Sequence, residues 1–267
     1  MQDCKKNESC AWECHDAYSE VICLEATDTD LNNRWKVSSV VSRMHAVAGN
    51  HCVQNGWGWN DLKEKYGICL VLTRTHIHMD SYPECYTNVR IKTWPENGIK
   101  SIFTRYFEME NADTGERYGY ASVQCVIMDM INRSIVRPDN LNLPEFGIYD
   151  IEPPCSGVPK LVIKKNLLGR SENSMHKRVP VYSELDYNGH VNNSKYIEWV
   201  CDLFEPGHYS DKKISEFDIK YNKETLYGNE VSLELIPGDE NTYYVRGTAD
   251  DGEEKDVCRF EASVKFI

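Results

Sequence analysis

Residues 184–204 read ELDYNGHVNNSKYIEWVCDLF, and the rest of the chain is organised around them. Ile197, Val200, Cys201 and Phe204 fall at steps of three and four, and Tyr196, Trp199 and Leu203 form a second stripe beside them. Only Lys195, Glu198 and Asp202 are left as a charged strip. The spacing predicts a helix that is apolar on most of its circumference and must therefore be enclosed by protein. Ahead of it, Asp186, Asn188 and His190 stand at alternate positions. On an extended arm these side chains project to one side. They would meet the first turn of the helix, whose free N–H groups and positive dipole end suit a carboxylate or a developing oxyanion. The same residues also have a plainer reading, in which Asp186 or Asn188 caps the helix and His190 is a packed, hydrogen-bonded histidine.

Working outward, Asp30 lies 156 residues before Asp186, and the same spacing sets Asn32 against Asn188 and Arg34 against His190. The chain thus contains one unit twice, with an arginine in the first copy where the second has a histidine. In the first copy, Val37, Val40, Val41, Met44, Val47, Ala48 and Cys52 make a helical stripe, and Arg43 is the lone charge between Ser38 and Gln54. A strand over 18–27 precedes this helix. Strand-like stretches follow at 68–80, 85–94, 99–110 and 117–130, with PENG at 95–98 and ADTG at 112–115 as hairpin turns. In the third stretch Ile99, Phe103, Phe107 and Met109 alternate with Lys100, Thr104 and Glu108, as in a sheet with one face on a core. The second copy repeats the pattern at 176–183, 213–222, 230–237, 242–248 and 255–266, turned by GDEN at 238–241 and DDG at 250–252. A strand, an enclosed helix and a run of antiparallel strands is what a sheet curled around one helix requires.

Between the copies the composition changes. Five of the ten prolines, Pro138, Pro144, Pro153, Pro154 and Pro159, fall between Arg137 and Lys160 and mark a linker. From 158 to 178, Lys160, Lys164, Lys165, Arg170, Lys177 and Arg178 stand against Glu172 alone, in a chain whose net charge is −12. This is either a solvated linker or a docking patch for an acidic protein. The expected division is a polar tail over 1–17, a first domain over 18–137, a linker over 138–175 and a second domain over 176–267.

At 267 residues with 41% hydrophobic content the chain can bury sizeable cores. Its acidity argues against nucleic acid or an anionic membrane as partner, and it contains neither an apolar run of spanning length nor a secretory signal pattern. A cytoplasmic protein is expected. The eleven cysteines are an odd number, scattered, and read as reduced thiols. Cys4, Cys10, Cys14 and Cys23 with His15 lack C-x-x-C pairs, and His76 and His78 share a strand face without a carboxylate at matching spacing. Neither set predicts a metal site, and no cofactor is expected.

The run LDYNGHVNNSKYIEW resembles the signature of acyl-acyl carrier protein thioesterases, the double-hotdog enzymes of plant plastids and bacteria. The resemblance extends from about Tyr18 to the end, and its D-x-N-x-H-V-N-N block is specific. It implies an α+β tandem hotdog, each half an antiparallel sheet curled around one long central helix. It implies hydrolysis of fatty acyl thioesters carried by acyl carrier protein, which makes that protein the partner, and leaves a homodimer open. Asp186, Asn188 and His190 would belong to the active site. In the plant enzymes a later strand carries a tyrosine, two mostly polar residues, a glutamate and a cysteine once proposed as nucleophile. Here Tyr221, Asn222, Lys223, Glu224 and Thr225 stand in that order, so Glu224 matches the glutamate and Thr225 replaces the cysteine. Attack by water is the route that survives. The first copy, lacking the histidine, would supply the acyl pocket through Met44, Val47 and Ala48. Lys160, Lys164, Lys165 and Arg170 would dock the carrier. Two rival readings are a hydrolase of acyl groups on coenzyme A and a non-catalytic acyl binder.

Overall fold

The computed structural model describes residues 16–98, 100–145 and 147–267. Most of the expected tail, with Cys4, Cys10, Cys14 and His15, lies outside them, as does Ile99. The first half holds β1 (Tyr18–Cys23), α1 (Val37–Gln54), α2 (Trp59–Tyr66), β2 (Ile68–Met79), β3 (Asn88–Pro95), β4 (Ile102–Asn111) and β5 (Arg117–Asp129). The second holds β6 (Ser174–Arg178), α3 (Asn193–Cys201), β7 (Ile214–Tyr221), β8 (Val231–Pro237), β9 (Thr242–Asp251) and β10 (Glu254–Phe266).

All ten strands join one sheet in the order β1-β3-β4-β5-β2-β7-β10-β9-β8-β6. Read from either edge inward, the two halves have the same strand order, and they meet where β2 pairs antiparallel with β7, His76 opposite Asp218. This is a tandem hotdog. The apolar stripe of α1 is buried at Val40, Val41, Met44 and Val47, and that of α3 at Tyr196, Ile197, Trp199 and Val200. The two helices also pack on each other. Burying these side chains contributes roughly 1.5–3 kcal/mol for each large one. Gly247 is required by this packing, because a Cβ there would come within 2.2 Å of the Phe260 ring.

The repeat is visible bond by bond. In the first half Asp30 N–H donates to the Arg34 carbonyl, and Asp30 Oδ1 accepts from the N–H groups of Asn32 and Arg34 at 2.8 and 2.9 Å. In the second, Asp186 N–H donates to the His190 carbonyl, and Asp186 Oδ1 accepts from Asn188 and His190 at 2.8 and 3.3 Å. Two residues earlier, Asp28 and Glu184 are both buried, each closing a short 3-10 turn by accepting from the backbone three residues back. Burial alone would raise both carboxyls. Arg43 and Ser39 beside Asp28, and Arg178 and Trp199 beside Glu184, hold both below the usual range.

Several expectations are corrected. Residues 186–190 are a tight turn rather than an extended arm, with Gly189 at φ 77, a left-handed position that glycine reaches at no steric cost. The cap of α3 is neither Asp186 nor Asn188 but Asn192, whose side chain accepts from Ser194 N–H at 3.0 Å. The helix stops at Cys201, short of Phe204, so its nine residues are half the length of α1. The second-half opening strand ends at Arg178, before Pro180, which has no N–H to give a ladder. Among its described residues the Pro-rich connection carries no strand, but it is tied down. Trp57 Nε1 donates to the Pro144 carbonyl at 2.8 Å, Ser122 Oγ to the Gly157 carbonyl at 3.1 Å, and Gly169 N–H to Glu234 Oε1 at 2.6 Å.

Candidate active site

The 186–190 turn is fixed at its far end by pairing with the strand end after β7. Val191 N–H donates to the Thr225 carbonyl at 2.9 Å, His190 forms a bridge with Leu226, and Thr225 N–H donates to the Tyr196 hydroxyl at 3.1 Å. Glu224 is thereby carried to the start of α3. A cavity of about 870 Å³ opens there, lined by Asp186, Asn188, His190 and Glu224 together. All four expected polar residues are in one place. Asn193, the first residue of α3, faces the same cavity, and its N–H has no partner among the described residues.

The opposite wall belongs to the first half: Leu70 and Leu72 of β2, Val126 and Met128 of β5, and Trp59 of α2, against which the Tyr187 ring packs edge-on. An apolar wall facing a polar cluster suits a ligand with a reactive head and a hydrocarbon body. Met44, Val47 and Ala48 do not line this cavity. Met44 and Val47 are shut in the first-half core and Ala48 packs against it. Lys160, Lys164, Lys165 and Arg170 are exposed on the connection and away from the cavity wall, with Arg170 paired to Glu172 at 3.0 Å. Lys177 and Arg178, part of the same basic run, are spent on Glu230 and Glu184.

One cavity residue had no signal in the sequence. Arg133, in the turn after β5, places Nη2 2.7 Å from Glu224 Oε1. The partners are 91 residues apart, and no periodicity or motif connects them. Burial would raise the Glu224 carboxyl. A hydrogen bond from its own backbone, the Arg133 charge and the His190 charge outweigh that and hold it below the usual glutamate range. This shift keeps Glu224 in its carboxylate form while reducing its basicity. Thr225 is fully buried behind it and offers no nucleophile to the cavity. Among the described residues, no group of three or more His, Cys, Asp or Glu side chains could hold a metal ion, and all eight described cysteines are free thiols. No helix among them is long and apolar enough to cross a membrane.

The first half has a counterpart of this site. Trp35, the equivalent of Val191, donates its N–H to the Pro83 carbonyl at 3.0 Å, so Pro83 corresponds to Thr225 and Tyr82 to Glu224. Arg34 and Tyr82 thus occupy the positions of His190 and Glu224, beside a second cavity of about 430 Å³.

Comparison with known proteins agrees with this two-part architecture. The family model for the acyl-ACP thioesterase N-terminal domain matches residues 15–141, and that for the C-terminal domain matches 169–263. A palmitoyl-acyl carrier protein thioesterase of Gossypium hirsutum is 24% identical over 78% of the chain and 52% of its own length. An oleoyl-acyl carrier protein thioesterase of Coriandrum sativum is 23% identical over 85% of the chain and 64% of its own length. The chain thus spans about half to two-thirds of the length of these curated relatives. Among solved structures, an acyl-ACP thioesterase from Bacteroides thetaiotaomicron superposes with a TM-score of 0.80 at 25% identity, covering 93% of this chain and 97% of that one. A 12:0-ACP thioesterase from Umbellularia californica shares the fold at a TM-score of 0.76 and 17% identity, covering 96% and 99%.

Proposed function

The chain belongs to the acyl-ACP thioesterase family, and from that premise we propose that it hydrolyses fatty acyl thioesters on acyl carrier protein to free fatty acid and carrier thiol. The observation that carries this reading is the cavity shared by Glu224, His190, Asn188 and Asp186, walled on its other side by apolar residues of the first half. Glu224 takes a proton from a water whose oxygen attacks the thioester carbonyl carbon. The Asn193 N–H, at the positive end of α3, and His190 stabilise the oxyanion. The intermediate collapses by breaking the C–S bond, and the proton held by Glu224 or His190 passes to the departing thiolate. Asn188 orients the water or the imidazole. Asp186 acts by holding the turn that presents both.

A positioned general base typically supplies ~10² to 10⁴ in rate, and one oxyanion donor roughly 10² to 10³. The acyl chain lies along Leu70, Leu72, Val126 and Met128. The exposed Lys160, Lys164 and Lys165 attract the acidic carrier during encounter. The same reading admits a homodimer, which a light-scattering mass twice that of one chain would bear out. Coenzyme A is the alternative carrier. Hydrolysis rates on acyl-ACP and acyl-CoA at equal concentration decide between them: a clear preference for acyl-ACP is expected, and equal or greater rates on acyl-CoA would reassign the substrate.

A further inference from the structure

The turn after β5 is built to aim one side chain. Asp129 Oδ1 accepts from the N–H groups of Ile131 and Asn132 at 2.9 and 2.7 Å, and Arg133 N–H donates to the Asp129 carbonyl at 3.0 Å. Asp129 N–H closes the turn on the Ser134 carbonyl at 2.9 Å. Arg133 itself sits at φ 50, a left-handed conformation that costs an ordinary L-residue ~1–2 kcal/mol. From there its guanidinium reaches the second half and bonds Glu224 Oε1 at 2.7 Å, with both residues lining the cavity. The Arg133 side chain is 59% exposed and that of Glu224 30%. So exposed a pair adds little to stability. The pair is therefore not what holds the turn, which the Asp129 bonds and the bridge between Met128 and Ile135 close without it.

We infer that Arg133 is a positioning residue for the reaction, contributed by the half that lacks the histidine: it fixes the Glu224 carboxylate at the cavity wall. The inference rests on the reading of Glu224 as general base. Holding Oε1 leaves the other oxygen to take the proton of the attacking water. Other charged or titratable groups surround Glu224. His190 and Asp186 come from the motif turn and Tyr196 from α3. Lys223, next in the chain, is paired with Asp251, and Arg259 of β10 donates to the Glu224 carbonyl at 3.0 Å. Among the described residues, Arg133 alone places a side-chain donor on the Glu224 carboxylate. The first half is then more than a lipid receptacle, since it supplies the side chain that holds the Glu224 carboxylate in place.

The test is the pH profile of kcat/KM on an acyl-ACP substrate for the wild-type chain, Arg133→Met, Arg133→Lys and Glu224→Gln. Removing the guanidinium moves the acid limb of Arg133→Met to higher pH. Its activity at the acid end falls a few-fold further than its activity at pH 8, with Tm lowered by no more than a few degrees. Arg133→Lys recovers part of the limb by restoring the charge without the planar fork. If the limb of Arg133→Met coincides with wild type while Glu224→Gln is inactive, Arg133 is a surface pair only and the inference falls. If Glu224→Gln keeps the wild-type rate, the general-base reading fails and takes the inference with it.

Discussion

Arg34 stands in the first half where His190 stands in the second, and its Nη1 donates to the backbone carbonyls of Tyr209 and Lys212 at 3.0 and 3.1 Å. Asn32, the counterpart of Asn188, donates to the same Tyr209 carbonyl at 3.2 Å, and Tyr82, the counterpart of Glu224, donates to the Ile214 carbonyl at 2.7 Å. One copy of the duplicated turn thus lines a cavity with Asp186, Asn188 and His190. The other clamps the loop that leads into β7.

Arg34→Ala removes two charge-assisted bonds to partly buried carbonyls and is expected to cost about 1–3 kcal/mol. At roughly 2–4 °C per kcal/mol for a chain of this size, Tm falls by several degrees while kcat per folded molecule is unchanged. Thermal unfolding and turnover of the same preparation check this. A large loss of kcat at unchanged Tm would place Arg34 in the reaction instead.

Asp186 and Asp30 make the same bonds in copies of different chemistry, so those bonds serve the turn rather than proton transfer. Asp186→Asn keeps an acceptor oxygen for the Asn188 and His190 N–H groups and should retain clearly more turnover than Glu224→Gln. Asp186→Ala loses the acceptor and should lower Tm and kcat together, by about 1 kcal/mol in stability. Equal, near-complete loss in Asp186→Asn and Glu224→Gln, with both folded, would make the two carboxylates a coupled pair.

Leu72 lines the cavity, whereas Val47 is only 1% exposed in the core. Leu72→Phe is expected to shift released fatty acids toward shorter chains, since each methylene accommodated is worth ~0.8 kcal/mol. Val47→Phe overpacks the core and costs ~1–3 kcal/mol of stability without a comparable shift. Chain-length analysis of the products distinguishes the two walls. A profile that follows Val47 and ignores Leu72 would return the slot to α1.

The basic run of the connection is reduced by its own pairs, leaving Lys160, Lys164 and Lys165 as its exposed charges without a carboxylate partner among the described residues. Replacing Lys164, Lys165 and Arg170 by Glu should raise KM for carrier-bound substrates and leave small thioesters unaffected, more so at low salt. Equal effects on both substrate types would remove the patch from consideration.

The duplicated fold was legible because its signals are local: the stripe of α1, the hairpin turns and the 156-residue spacing each lie within one segment or its copy. The D-x-N-x-H spacing picked out residues that line the cavity but not the shape of the turn that carries them. Alternate positions imply an extended arm only where no side chain folds the backbone back, and Asp186 does that by accepting two N–H groups. Arg133 and the β2 wall were illegible for another reason. Their roles exist only through contacts between halves, which no window along one strand reports.

Proton transfer at Glu224 is tested by kcat for fatty acid release from acyl-ACP by purified, folded Glu224→Gln. A fall of ~10² to 10⁴ with Tm close to wild type is expected. Turnover within a few-fold of wild type would contradict it.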